Sequence, residues 1–396
     1  MTILLFLLFA PLVLINLTFV AEAIFGLRRG AICPWPEQPF TAAIIVPAHD
    51  EAALIGQTLK SLIAAVGTGG TILVVADNCV DGTADIARQT GASVIERHNA
   101  GARGKGHALA FARDWLRQRP PSAVIVLDAD CHTDAASLRA LADFSARTNL
   151  PCQAINLLEA RLSASPMVQI STFAFLLKNL VRQRGLQRLC GGVHLTGTGM
   201  CMPWEHFDRA ELATSSIVED IQLGLELAQR GARPQLIENA FVWSPSNDAR
   251  GTLIQRRRWE GGYLAMARSS AFETLVTGLK RKNARIVMSG LDLFIPPLAL
   301  LAALNAAALL ICLVLAAIGW AGWIPAMSLV FVATLMVFAI LAAWAREGKA
   351  YLTLGTLVRL PFYVIWKMPM YLGLARLGAP SDWLRTDRST GTDRED

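Results

Sequence analysis

The chain has 396 residues, 53% of them hydrophobic and only 17% charged, with a mean hydropathy of +0.41, which excludes an ordinary soluble protein. Its net charge of +6 suits contact with an anionic lipid leaflet and with a phosphorylated ligand. Nucleic acid is not expected as a partner, because no recognisable nucleic-acid module carries the charge.

The apolar excess sits at both ends. Residues 3–25 are long enough to cross a bilayer, which takes about 20 apolar residues. They lack the basic n-region of a signal peptide and are followed by Arg28 and Arg29, so residues 1–28 read as an uncleaved anchor. By the positive-inside rule those arginines put the polar domain that follows, residues 40–275, on the cytoplasmic side of a multi-pass protein of the cytoplasmic (inner) membrane. The seven cysteines (Cys33, Cys79, Cys131, Cys152, Cys190, Cys201, Cys312) show no metal-type pairing and fit a reduced compartment. Zinc at Cys131 and His132 lacks a partner pair.

Residues 41–47 (T-A-A-I-I-V-P) read as a buried strand, and A-H-D-E opens a turn into a helix over 52–66, ended by Gly67 to Gly70. A second strand, 71–76, closes on Asp77 and is followed by N-C-V-D-G-T and a helix from about Thr83. Gly91 introduces a third strand, S-V-I-E-R. Strand and helix alternate as in βαβ units, so a mostly parallel sheet flanked by helices is expected. In such sheets ligands sit outside the carboxyl ends of the strands, where Asp50, Asp77 and Asp128 fall.

The stretch N-A-G-A-R-G-K-G-H sets three glycines around Arg103 and Lys105. It reads either as a surface loop or as backbone that approaches phosphates with a cation to neutralise them, though it does not match the P-loop pattern. After a helix over 107–119 comes A-V-I-V-L-D-A-D-C-H-T-D, residues 123–134, an apolar strand ending in acids. Period two puts Asp128 and Asp130 on one face. Two converging carboxylates repel unless something sits between them, so a divalent metal shared with a phosphate is weighed against a plain acidic turn. A further helix is expected over 134–147.

Over 167–188, Ile170, Phe173, Leu177, Leu180 and Val181 share a helical face while Lys178, Arg182, Arg184 and Arg188 supply charge. A helix lying in the membrane interface is the expectation, and an ordinary core-facing helix the alternative. The stretch G-G-V-H-L-T-G-T-G (191–199) is too poor in side chains to fill a core and leaves room for a ligand such as a sugar ring. Ser216 caps a helix in the capping-box pattern S-I-V-E, which places Glu219 and Asp220 in its first turn and ends it at Gly231. In Q-R-R-R-W (255–259), helical spacing puts Gln255, Arg258 and Trp259 on one face, with Arg256 and Arg257 directed elsewhere, towards anionic lipid.

Taken together these blocks resemble membrane-bound family 2 glycosyltransferases, the group containing cellulose, hyaluronan and poly-N-acetylglucosamine synthases and the ceramide glucosyltransferases. The likeness covers roughly residues 40–275 in six blocks in the family's order: V-A-D-N-C-V-D-G-T, R-G-K-G-H-A-L, D-A-D, G-T-G-M, V-E-D and Q-R-R-R-W. W-L-R-T at 383–386 is a further echo. P-A-H-D-E departs from the family's P-x-Y-N-E, with His49 and Asp50 for Tyr and Asn. The resemblance implies a GT-A-like fold and a nucleotide-sugar donor, with Mg2+ or Mn2+ as cofactor. It implies that Pro47, Ala48, Glu51, Asp77, Lys105, Asp128, Ala129, Asp130, Gln255, Arg258 and Trp259 bind the donor, Asp128 and Asp130 through the metal. Asp220, with Glu219 beside it, is implied as the general base. Gly197, Thr198, Gly199 and Trp259 are implied on the acceptor side. A base acting through the acceptor needs no covalent intermediate, so an inverted product is expected. A catalytically silent nucleotide-binding scaffold and a polyprenyl phosphotransferase fit these residues less well.

Towards the C-terminus, residues 289–345 form a hairpin of two spans, 291–318 and 322–344, joined by W-A-G-W-I-P, with Pro296 and Pro297 expected to kink the first. Residues 350–378 are interrupted by Arg359, Pro361, Lys367 and Pro369, which favours interfacial or re-entrant helices, and 379–396 a cytoplasmic tail. With about three full spans, a polymer channel would need homo-oligomerisation. A lipid or lipid-linked saccharide acceptor is therefore preferred over processive synthesis and export of a β-linked polysaccharide.

Overall fold

The computed structural model describes residues 1–30, 40–214 and 216–378. The W-L-R-T echo, the tail at 379–396 and Cys33 lie outside the described residues. Two compact units divide the chain: Met1–Leu27, Ala160–Gly185 and Ser246–Asp396 form one, and Arg28–Glu159 and Leu186–Pro245 the other. Residues 160–185 and 246–275 of the range 40–275 therefore pack with the apolar helices of the first unit.

The second unit holds the whole sheet. Its elements are β1 (Ala43–Ala48), α2 (Ile55–Val66), β2 (Thr71–Asp77), α3 (Thr83–Gln89), β3 (Ser93–Arg97), α4 (Lys105–Leu116), β4 (Ala123–Val126), β5 (His132–Thr133), α5 (Ala135–Thr148) and β6 (Cys152–Leu158). After α6 and α7, described below, come β7 (Met200–Pro203), α8 (Trp204–Asp208), α9 (Glu219–Gln229) and β8 (Gln235–Ser244). The strand order is β3-β2-β1-β4-β7-β6-β8-β5. The first four strands are parallel, β7 runs antiparallel to both neighbours, and β6 and β8 are parallel. The expected α/β fold with a mostly parallel sheet flanked by helices is present.

Alternation along β1 shows why the sheet is covered twice. Ile44 and Val46 face a core completed by Leu59 and Leu62 of α2 and Leu138 and Leu141 of α5. Ala43 and Ile45 face another, with Leu109 of α4, Phe207 of α8 and Leu227 of α9. Pro47 sits in a central strand without breaking the ladder. The β4 register ends at Ile45↔Val126, so two residues on, on the same side of the strand, no partner awaits the missing N–H.

Boundaries differ from expectation where local hydrogen bonds intervene. The helix expected from residue 52 begins at Ile55, because residues 51–54 form a turn closed by Leu54 N–H to the Glu51 carbonyl, 3.0 Å. The capping box fails. Ser216 Oγ accepts from Val218 N–H two residues on, at 3.3 Å, and α9 starts at Glu219 with Val218 as its uncapped N-cap.

The first unit contains α1 (Thr2–Gly26), α6 (Pro166–Leu176) continued by a π-helical segment (Leu177–Arg182) towards α7 (Gln183–Cys190), α10 (Ala249–Lys280), α11 (Ala284–Leu293), α12 (Leu298–Ala317), α13 (Ile324–Ala343), α14 (Leu354–Leu357) and α15 (Leu360–Leu377). Three helices, Thr2–Gly26, Leu298–Ala317 and Ile324–Gly348, are long and apolar enough to cross a membrane. Asn16 and Asn305 exchange two amide hydrogen bonds of 2.9 Å between α1 and α12, the polar clasp that apolar helix packing tolerates. Pro296 and Pro297 do not kink a span: α11 has already ended at Leu293, and Pro297 is the N-cap of α12.

The interfacial reading of 167–188 is overturned. Phe173, Phe175, Leu177, Asn179 and Val181 are buried on most sides of the helix, with Lys178 exposed among them. Of the positive charges, Arg182 and Arg184 are paired internally, while Lys178 and Arg188 are exposed: Arg182 Nε donates to Glu22 at 2.8 Å and its Nη2 to Asp292 at 2.5 Å, and Arg184 Nη1 donates to Glu347 at 2.9 Å. Lys367 of α15 is likewise 1% exposed, with its Nζ 2.5 Å from Glu260.

Candidate active site

The carboxyl ends of β1 and β2 are knitted into one double turn. Asp50 adopts φ +54°, a conformation that aspartate tolerates, and its Oδ1 accepts from Val80 N–H at 2.7 Å and Asp81 N–H at 3.3 Å. Glu51 N–H donates to Thr83 Oγ1 at 2.8 Å, and His49 Nδ1 lies 2.7 Å from the Asp77 carbonyl. The two departures from the family motif thus serve to fix this turn. Asp77 is 3% exposed, and its Oδ1 accepts from Arg97 Nη1 at 2.6 Å and Asn78 Nδ2 at 3.0 Å. Arg97, whose other nitrogen bonds the Ala102 carbonyl at 2.7 Å, was missed in the sequence because it lies at a strand end outside every recognisable block.

The D-A-D turn does not lie on the strand. β4 stops at Val126, so the two-residue period has no hold on Asp128 and Asp130. They converge because the chain turns: with Cys131 each offers a ligand atom within 4.8 Å of the others. Ala129 is buried, its carbonyl accepting from Thr58 Oγ1 at 2.8 Å, so it anchors the turn to α2. The Cys131 thiol is raised well above its usual pKa by burial and by the adjacent Asp130 and Asp128 charges.

Lys105, at the start of α4, is the centre of the charged cluster. Its Nζ donates to Asp128 Oδ1 and, at 2.5 Å, to the Gly197 carbonyl. Burial alone would lower its pKa, but the charges of Asp128, Glu219 and Asp220 outweigh it and hold the ammonium above its usual value. Gly197 has φ +82°, and a side chain there would meet Asp220 Oδ2 at 3.2 Å. Gly199 has φ +68°, with Val242 and Ala154 within 2.9 Å of the place a Cβ would take. The small residues of G-T-G therefore admit a carboxylate and a strand. Thr198, expected on the acceptor side, is 2% exposed, and its hydroxyl accepts from Asp128 N–H at 3.1 Å. Gln153 of β6, also missed, fixes the loop: it accepts from Thr196 N–H at 2.9 Å and donates to the Thr198 carbonyl at 2.8 Å.

Glu219 and Asp220 open α9. Asp220 Oδ1 accepts from Ile221 N–H at 2.8 Å. Glu219 is pushed up to about 8, first by burial and then by the Asp220 charge, against the opposing pull of Lys105. Half-buried in accessible surface, it is nonetheless crowded by protein.

In the other unit, Q-R-R-R-W is helical within α10 as expected. Gln255 is buried, and Arg258 and Trp259 are half-buried. Arg256 does not face lipid. It is buried, donates to Ser171 Oγ at 2.9 Å, and its guanidinium lies 5.1 Å from the Phe175 ring centre and 5.5 Å from that of Trp259.

The profile of the family described as Glycosyltransferase like family 2 matches residues 39–262. No curated protein matches the chain. Among solved structures it is similar to mannosyltransferase PcManGT from Pyrobaculum calidifontis in complex with GDP-Man and Mn2+, with 17% identity over 89% of this chain and 95% of that one and a TM-score of 0.54. It is also similar to glucosyl-3-phosphoglycerate synthase from Mycobacterium tuberculosis with Mn2+, UDP and glucosyl-3-phosphoglycerate, with 17% identity over 60% of this chain and 87% of that one and a TM-score of 0.39. At these identities the likeness to PcManGT is one of fold. The profile match, which spans more than half of the chain, goes further: this protein belongs to glycosyltransferase-like family 2.

Proposed function

We propose that the protein transfers a sugar from a nucleotide-diphosphate sugar, with UDP as the expected carrier, to a lipid or lipid-linked saccharide at the cytoplasmic face of the membrane, with inversion at the anomeric carbon. The observation that carries this reading is the convergence of Asp128, Lys105, Gly197 and Asp220 beside the carboxyl ends of the parallel strands. The reading places the nucleoside at the Pro47 to Glu51 turn and Asp77. The dyad fits a divalent cation, since hard oxygen donors within 4.8 Å of one another suit Mg2+ or Mn2+, as in the Mn2+ complex of PcManGT. When bound by Asp128 and Asp130, that cation supplies neutralisation of the charge that builds on the departing diphosphate.

The remaining work falls to the chain. Glu219, pushed up to about 8, keeps its proton at neutral pH, which leaves Asp220 as the group that accepts the proton of the attacking acceptor hydroxyl. Lys105 holds its own charge against the cluster and keeps the G-T-G loop closed on it. Roles for Gln255, Arg258 and Trp259 in donor and acceptor binding rest on the motif resemblance. Three candidate spans among the described residues favour a lipid acceptor over a self-contained polymer channel. The test supplies purified protein and membrane lipid with a panel of labelled nucleotide sugars and separates organic-soluble from water-soluble product. Label in the organic phase supports the proposal, and label only in water-soluble polymer replaces it with processive synthesis.

A further inference from the structure

The corner between α10 and α11 carries Lys280, Arg281, Lys282 and Arg285, all exposed, and none of the four has a hydrogen-bonding or ionic side-chain partner among the described residues. Arg268 adds a fifth exposed cation on α10, against the single carboxylate of Glu273 within residues 268–285. The same stretch exposes two large apolar side chains, Phe272 at 67% and Leu279 at 60%. Arg268, Phe272 and Leu279 recur at i, i+4 and i+11, which puts them on one stripe of α10, and the stripe runs into the basic corner.

We infer that this corner is a docking surface for the anionic headgroups of a lipid leaflet. Charge and apolar area together select that partner. Four unpaired cations attract a dense anionic surface, and two exposed apolar side chains gain nothing from a nucleic-acid backbone but bury well at the boundary between headgroup and acyl chain. Continuity with the apolar helices supports the same partner. α11 leads through Phe294 to Pro297 directly into α12, one of the three candidate spans, and its ten residues reach about 15 Å, so the corner stays within a short helix of where that span begins. Lys282 at φ +48° and the Asn283 side chain, which accepts from Arg285 N–H at 3.0 Å and Ile286 N–H at 3.3 Å, hold the corner in one shape and present its cations together. This surface is independent of the sugar-transfer chemistry.

The four cations are themselves trypsin sites, so the native full-length protein reports on the contact. It is placed in nanodiscs of phosphatidylcholine alone or of equal parts phosphatidylcholine and phosphatidylglycerol, and cleavage within 280–285 is followed by mass spectrometry. Arg88 and Arg117, exposed in the sheet unit, serve as internal controls. The expected result is cleavage at the corner slowed about tenfold or more in the anionic discs, unchanged at the controls, and restored in molar salt, where screening acts within about 3 Å. Equal corner cleavage in the two lipids, relative to the controls, overturns the inference, as does protection that is as strong in phosphatidylcholine alone. Neither readout depends on a donor or an acceptor, so failure here leaves the proposed transferase activity standing and is distinguishable from its failure.

Discussion

The helical unit and the candidate catalytic edge of the sheet unit both gather charge, and they resolve it in opposite ways. In the helical unit the charges close on one another: Arg182 with Glu22 and Asp292, Arg184 with Glu347, and Lys367 with Glu260, whose other oxygen accepts from Tyr371 at 2.8 Å. At the sheet edge Asp128, Glu219 and Asp220 act on Lys105, and Asp130 lies beside Asp128. Internally closed pairs lock packing. An acidic excess around one lysine suits a further positive charge, and Glu219 is raised first by burial and then by the Asp220 charge.

The largest effect expected from breaking this contrast is at the dyad. Asp130→Ala removes a half-buried carboxylate from the acidic excess, so transfer should be abolished while membrane insertion and thermal unfolding stay near wild type. Full activity of the wild type in metal-free buffer would remove the dyad from the mechanism. Asp220→Asn keeps size and the bond to Ile221 N–H but cannot take a proton, so donor binding should survive while turnover falls by roughly two to four orders of magnitude. Arg182→Ala probes the opposite pole. Leaving Glu22 and Asp292 unpaired in a buried place should cost about 3–5 kcal/mol, read as a lower unfolding midpoint in detergent, with donor affinity in the surviving folded protein unchanged.

The smallest effect is one of pH. Because the Glu219 carboxyl binds its proton more tightly in the folded state than in the unfolded one, the native protein holds more protons between about pH 4.5 and about 8. This group therefore contributes a loss of stability as pH rises through that window. Glu219→Gln should flatten the slope of unfolding midpoint against pH there. An unchanged slope would show that Glu219 titrates as an ordinary carboxyl.

What the sequence could reveal tracks how local each determinant is. The short apolar runs of β1 and β2 and the glycines that end α2 and α9 depend on neighbours in the chain, and those elements were legible. The D-A-D turn was legible as two converging carboxylates but misplaced on the strand, which stops at Val126 where its register with β1 ends. Arg182 and Lys367 were read as facing interface or solvent because their partners, Glu22 and Glu260, lie 160 and 107 residues away. Arg97 and Gln153 gave no signal: an arginine at a strand end and a glutamine inside a strand are unremarkable until the loops they bind are brought beside them. Ser216 misled for the opposite reason, a local pattern that satisfied a nearer N–H first.

The most direct test counts the ion that the proposed function assigns to the acidic excess. Free Mn2+ is titrated by electron paramagnetic resonance against purified protein with UDP present, for wild type, Asp130→Asn and, as a control from a closed pair, Glu260→Gln. The account predicts one tightly bound Mn2+ per chain in the wild type and in Glu260→Gln, and none in Asp130→Asn. Undiminished Mn2+ binding in Asp130→Asn, or its loss in Glu260→Gln with the fold intact, would contradict it.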